Sequence, residues 1–181
     1  MVLSDTEIIK AIESGEIRII PFKREVVGPC SVDLSLDSVF GIFKTSRKVD
    51  PENHSSVEES LEIVDTKGKP YVIKPGEFIL ARTRERVAIS KSLAATLEGK
   101  SSVARLGLVV HAAGLVNPGT GLSEPVPLVL EIFCQNKSPV VLHPGMGIIQ
   151  IIFHRLAEPA SVGYDERPSS KFSGRRGLRL V

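Results

Sequence analysis

Apolar positions recur at helical period near the start of the chain and then give way to shorter runs. In "SDTEIIKAIESGEIRII", Ser4 and Glu7 stand at capping-box spacing. Ile8, Ile9, Ala11 and Ile12 follow at helical period, and Gly15 sits where a C-terminal cap belongs. Beyond it, β-type runs dominate: 17–20, 31–40, 61–64, 71–73, 78–81, 87–89, 108–111, 128–134, 140–142 and 147–153. Turn formers separate them at Gly28-Pro29, Lys67-Gly68-Lys69-Pro70, Pro75-Gly76, Pro118-Gly119 and Pro144-Gly145. Short strands at this spacing predict a mainly β protein, an antiparallel sandwich or barrel behind one N-terminal helix. The polar stretch 48–60 reads as a surface excursion, and no internal repeat is present. Residues 1–157 read as a single domain. Residues 158–181, rich in Arg, Ser, Gly and Pro without a core pattern, read as a mobile C-terminal arm.

Composition narrows the partners. The 181 residues suffice for one domain with a sizeable core, and 42% hydrophobic with 24% charged residues is ordinary for a globular chain. A net charge of +2 argues against a dedicated duplex-DNA binder, which concentrates basic residues on one face. With 5% aromatics there is no stacking platform for single strands either, so nucleic acid is not an expected partner. Cys30 and Cys134 are far apart and form no Cys-x-x-Cys pair, which points to a reducing compartment. No apolar run reaches membrane-spanning length, and the N-terminus is polar and acidic from residue 4, unlike a signal peptide. The expectation is a cytoplasmic protein with no membrane partner.

Several familiar chemistries leave no trace. There is no phosphate-binding G-x-x-x-x-G-K-[ST] loop, no dinucleotide glycine fingerprint and no G-x-S-x-G elbow. His54, His111, His143 and His154 lack metal-ligand spacing, and the zinc deaminase signature is absent. Two features stand out instead. In "PLVLEIFCQN", Glu131 interrupts an apolar run and shares a strand face with Val129 and Phe133. A carboxylate there is costly unless paired or hydrogen-bonded, and function and a structural ion pair are equally good readings. In "GKSSVARLGLVVHAAGLVNPG", Lys100, Ser101, Ser102 and Arg105 precede an apolar strand. They suit an anion site, or a capped turn in which Ser101 is the cap and Arg105 pairs with an acid. Asp33 alternates with Ser31, Ser35 and Asp37 and reads as part of an ordinary solvated face.

These pieces occur together and in order, and the chain resembles the dCTP deaminase/dUTPase family. "LSDTEIIKAIESGEIRIIPF" is similar to that family's opening helix and strand. "VGPCSVDLSL", "PGEFILARTRERVAIS" and "HPGMGIIQIIF" resemble three of its strand segments. "GKSSVARLGLVVH" resembles its Arg-Ser-Ser-Leu-x-Arg-Leu-Gly-Leu motif, and "LVLEI" the segment carrying the deaminase carboxylate. "KFSGRRG", with Tyr164 and Arg167 before it, resembles its C-terminal arm.

The resemblance implies a distorted dUTPase-like β-barrel of jelly-roll type, assembled as a homotrimer with active sites between subunits. It implies deamination of dCTP to dUTP and ammonia without zinc, for pyrimidine deoxynucleotide synthesis, with Mg2+ bound through the substrate triphosphate. Glu131 would be the general base, and Ser101 and Arg105 would complete the catalytic group. Lys100, Ser102, Ala113, Asn117, Tyr164, Lys171 and Arg175 would bind the deoxynucleoside triphosphate. Departures keep two alternatives open: a dUTP diphosphatase or bifunctional enzyme, and a non-catalytic nucleotide-binding trimer. Asn117 replaces an Asp of the family, and an amide cannot act as a base, which counts against phosphate hydrolysis. The following loop, 119–127, is longer than the family's. Lys100 and Ser35 stand where the family has Arg, and Arg175 where it has Gln.

Overall fold

The structure is a computed structural model that describes residues 1–44, 48–110 and 113–170. Helix α1 (Asp5–Glu13) begins as its sequence requires. The Glu7 carboxylate accepts the Ser4 backbone N–H at 2.9 Å, completing the capping box, and Gly15 follows the C-cap with φ +79°. Ile8 and Ala11 bury the inner face of α1.

Among the described residues twelve strands follow in antiparallel pairs. They are β1 (Ile17–Ile20), β2 (Val32–Ser35), β3 (Val39–Phe43), β4 (Leu61–Asp65), β5 (Tyr71–Ile73) and β6 (Phe78–Ile89), then β7 (Leu93–Gly99), β8 (Leu108–Val109), β9 (Leu115–Val116), β10 (Val126–Cys134), β11 (Val140–Leu142) and β12 (Gly147–Arg155). One sheet runs β4-β3-β6-β10-β8, with β1 also on β6. A second runs β2-β12-β7-β9, and β5 pairs with β11 in a small ribbon. Alternation puts Leu34, Leu93, Leu130, Ile149, Ile151 and Phe153 into one core with Phe40 and Ile8.

The predicted elements differ from the observed ones where local chemistry intervenes. The run 31–40 is two strands, β2 and β3. Between them Leu36 N–H bonds Met146 O at 2.9 Å and Asp37 turns back to accept Ser38 N–H at 2.7 Å. The runs 78–81 and 87–89 join into one strand, β6, because Thr83 bridges the irregularity opposite. Its hydroxyl donates to Glu85 O at 2.7 Å and accepts Leu128 N–H at 2.9 Å, where the β10 register shifts. The excursion 48–60 contains a short helix, α2 (His54–Ser60), capped by the Asn53 side chain. Strands β7 and β9 have no counterpart among the predicted runs. The β7 sequence "LAATLEG" has weak β propensity and is held by β12 on one side and β9 on the other.

The segment after β12 lies along the barrel as far as it is described. Leu156 N–H bonds Ser92 O at 3.0 Å, Ala160 N–H bonds Lys91 O at 2.9 Å, and Ser170 is buried.

Candidate active site

Glu131 sits in the middle of β10, half-buried, on the face turned away from the main core. Its register partner on β6 is Leu80, which pairs in turn with Gly41 of β3 and through it with Ile63 of β4. The next row across the same face is wholly apolar: Leu61, Phe43, Phe78, Phe133 and Val109. Phe78 is 42% exposed, Val109 40% and Phe133 36%, so an open apolar row borders the carboxylate on this side. On its other side Val129 pairs with Arg82, which puts a half-buried guanidinium on the same face as Glu131.

The polar block before β8 folds as α3 (Ser101–Ala104), a single helical turn. Its N-cap is Lys100 and not Ser101, and no side chain caps it; Ser101 and Ser102 occupy the first turn with exposed side chains. Arg105 closes the turn and is exposed. Buried Val103 anchors it, and Gly107 O accepts Gln135 N–H at 2.7 Å, fastening α3 to the end of β10 beyond Glu131. Lys100 is half-buried, ion-paired with Asp33 on β2, and its methylenes lie over Gly147. Asp33 thus belongs to a strip of paired groups. Ser35 donates its N–H and hydroxyl to Glu85 at 2.7 and 2.6 Å, and Arg82 reaches Asp37 at 2.6 Å.

Asn117 opens a tight turn. Pro118 and Gly119 are its central residues, Gly119 has φ +77°, and Thr120 returns its N–H and hydroxyl to Asn117 O at 3.1 and 2.8 Å. Tyr164 packs onto the same turn, donating its N–H to Pro118 O at 2.8 Å. Ala113 is exposed at the entry to β9, where Leu97 N–H bonds Gly114 O. The loop 119–127 is strapped down: Arg18 donates to Gly121 O and Leu122 O at 3.0 and 2.8 Å, and Arg86 pairs with Glu124 at 3.2 Å. Lys171 and Arg175 lie outside the described residues.

The site residues therefore fall into two groups within one chain. Lys100, Ser101, Ser102 and Arg105 gather at the C-terminal end of β7 and are fastened to the strand that carries Glu131. Asn117 and Tyr164 gather at its N-terminal end, because Val116 pairs with Ala95. From the level of Ala94 to Lys100 the strand covers about 20 Å at ~3.3 Å per residue.

Residues the sequence did not single out surround the second group. Lys91 reaches Glu166 at 3.1 Å, and Glu166 accepts Gly163 N–H at 2.7 Å. That backbone donor, and then the lysine, hold the Glu166 carboxyl below its ordinary range. The signal was present as a carboxylate three residues after Gly163, a capping spacing in a segment without apolar periodicity. Among the described residues no group of three His, Cys, Asp or Glu side chains is arranged to hold a metal ion, and no helix is long and apolar enough to cross a membrane.

A family model described as dCTP deaminase-like matches residues 2–156. The chain is 39% identical over 183 residues to a protein of Dictyoglomus thermophilum named "dCTP deaminase, dUMP-forming", covering 98% of this chain and 92% of that one. It is 42% identical over 182 residues to a Streptomyces coelicolor protein of the same name, covering 98% and 92%. To a Thermomicrobium roseum protein named "dCTP deaminase" it is 37% identical, covering 97% and 90%. The fold is shared with the crystal structure of 2'-deoxycytidine 5'-triphosphate deaminase from Agrobacterium tumefaciens, at a TM-score of 0.65 and 23% identity, over 86% of this chain and 48% of that one. A match across most of the sequence, with relatives this similar over nearly their whole length, settles the family: the chain belongs to the dCTP deaminase-like family.

Proposed function

We propose that the protein deaminates dCTP, with Glu131 as the general base. The observation that carries the reading is a half-buried carboxylate beside an exposed apolar row, with Arg82 on the same sheet face, on the strand to which the Ser101–Arg105 block is fastened. In this reading Glu131 takes a proton from water as the oxygen bonds to C4 of the cytosine ring. It returns that proton to the ring, and further transfer to the amine releases ammonia, so dCTP and water become dUTP and ammonia. Ser101 and Arg105 hold the water and the base edge, while Lys100 and Ser102 lie beside the phosphates. Asn117 and Tyr164 hold the sugar and close over it, and Lys171 and Arg175 reach the phosphates from the C-terminal arm.

Magnesium fits as part of the substrate. It prefers oxygen ligands, which the triphosphate and water supply, and the described residues form no carboxylate cage of their own. The ion would neutralise phosphate charge; Lys100 and Arg105 would do the same from the protein side.

A homotrimer with sites between copies accounts for two observations. The apolar row through Phe78, Phe133 and Val109 is more exposed than a solitary chain favours. The separation of Ser101 from Asn117 along β7 leaves neither group complete by itself. Two free cysteines, Cys30 and Cys134, suit a reducing cytoplasm.

The names of several relatives favour a second reading, in which the same protein also hydrolyses the triphosphate to give dUMP. Incubation with dCTP, and separately dUTP, with magnesium and ion-exchange resolution of products tests both. dUTP and ammonia from dCTP, lost in Glu131→Gln, support deamination. dUMP and diphosphate from dCTP support the combined reaction despite Asn117, whereas dUMP from dUTP with dCTP untouched supports a dUTP diphosphatase and overturns deamination. No reaction with either overturns both and leaves a nucleotide-binding trimer.

A further inference from the structure

Two glycines meet where the Asn117 turn touches the C-terminal segment. A Cβ on Gly119 would lie 2.6 Å from Gly163 Cα and 3.0 Å from Tyr164 N, so the two backbones are in direct contact. A Cβ on Gly163 would lie 3.2 Å from Gly119 Cα and 3.3 Å from the Glu166 carboxylate. The contact is held from behind. Glu166 accepts Gly163 N–H at 2.7 Å and pairs with Lys91 at 3.1 Å, and Lys91 O accepts Ala160 N–H at 2.9 Å. In front of it, Tyr164 N–H bonds Pro118 O at 2.8 Å, and Ser123 donates its hydroxyl to Asp165 at 3.2 Å. On its other side the turn rests on the β6 end, where Ile89 N–H bonds Thr120 O at 3.0 Å.

We propose that Glu166 is a positioning residue: by holding Gly163 flat against Gly119, it fixes the turn from which Asn117 meets the nucleotide. The proposal rests on the reading of that turn as a substrate contact. Lys91 and Glu166 are both partly exposed, so the ion pair is screened by solvent, and the hydrogen bond to Gly163 is the part that sets geometry. A glutamine at 166 keeps an oxygen acceptor for that N–H; an alanine does not.

The test compares Glu166→Ala and Glu166→Gln in the full chain. The first readout is amide hydrogen exchange at Thr120 without nucleotide, since that N–H closes the turn on Asn117 O. The second is KM and kcat for dCTP. Expected in Glu166→Ala is exchange about tenfold faster at Thr120 and a KM raised about tenfold, with kcat within about twofold. Glu166→Gln should stay close to the parent in both. Unchanged Thr120 exchange in Glu166→Ala overturns the proposal, as does a glutamine variant that behaves like the alanine one. Faster exchange with KM unmoved, both in Glu166→Ala and in Asn117→Ala, keeps the backbone clamp but overturns the turn as a nucleotide contact.

Discussion

Lys100 is ion-paired with Asp33, while its methylenes cover Gly147. The ammonium at the head of the α3 block is thus paired with a carboxylate from β2. A triphosphate arriving there competes with Asp33 for the ammonium and meets the carboxylate's own negative charge. Asp33→Asn is expected to lower KM for dCTP by about two- to fivefold, at roughly 0.4–1 kcal/mol for a partly exposed pair. Steady-state kinetics at low and moderate salt check this, and the gain shrinks as salt screens the site.

Replacing the proposed base leaves the apolar face and the turn in place. Glu131→Gln is expected to lower kcat by about 10²–10⁴-fold, the usual worth of a positioned general base. Nucleotide binding, followed by calorimetry, should change little. Arg105→Ala is expected to raise KM about 10–100-fold, the loss of charge-assisted hydrogen bonds to substrate. Ser101→Ala should act mainly on kcat. If Ser101→Ala and Arg105→Ala both turn over dCTP normally, the α3 block is not the site.

Glu16 and Arg155 form a bidentate pair at 2.7 and 2.9 Å that ties β12 to the residue before β1. The guanidinium holds the Glu16 carboxyl below its ordinary value of 4.5. A carboxyl depressed on folding contributes stability above its unfolded pKa and loses it as pH falls through the folded one. Glu16→Gln should therefore lower Tm at pH 7, with a penalty that shrinks as pH falls below the ordinary value of 4.5 towards the depressed folded one. Both side chains are about a third exposed, so the contribution is about 0.5–1 kcal/mol. Thermal denaturation of parent and variant across pH 3–7 (roughly the carboxylate range) measures it.

Gly121 has φ +72°, and a Cβ there would sit 2.5 Å from Val87 O. The obstacle is backbone of β6, which cannot yield as a side-chain tip would. Gly121→Ala is expected to destabilise the protein by about 1–3 kcal/mol and to loosen the loop held by Arg18. Urea unfolding reads the stability, and KM for dCTP reads the loop.

The first helix was legible because its signals are local: a capping box, a helical period and a glycine stop. Strands β1, β5 and β11 were legible for a similar reason, each being a short apolar run between turn formers. Strand β7 was not, because Ala94, Ala95 and Thr96 carry little β preference and become a strand only by lying between β12 and β9. The split of 31–40 into β2 and β3 depends on Met146, more than a hundred residues away. Glu131 was legible as an exception to strand alternation, and the Ser101–Arg105 block as polar residues ahead of a core strand. Lys91, Gly163 and Glu166 were not, since their importance comes from a backbone contact between distant segments.

The arrangement along β7 also bears on inheritance of damage. If sites form between copies, a chain impaired at Ser101 still carries an intact Asn117 turn, and one impaired at Asn117 still carries an intact α3. Two inactive variants, co-expressed or refolded together, would then rebuild whole sites at a share of their mixed junctions. Activity recovered from two dead parents would be a genetic complementation between alleles of one gene, written into the length of a single strand.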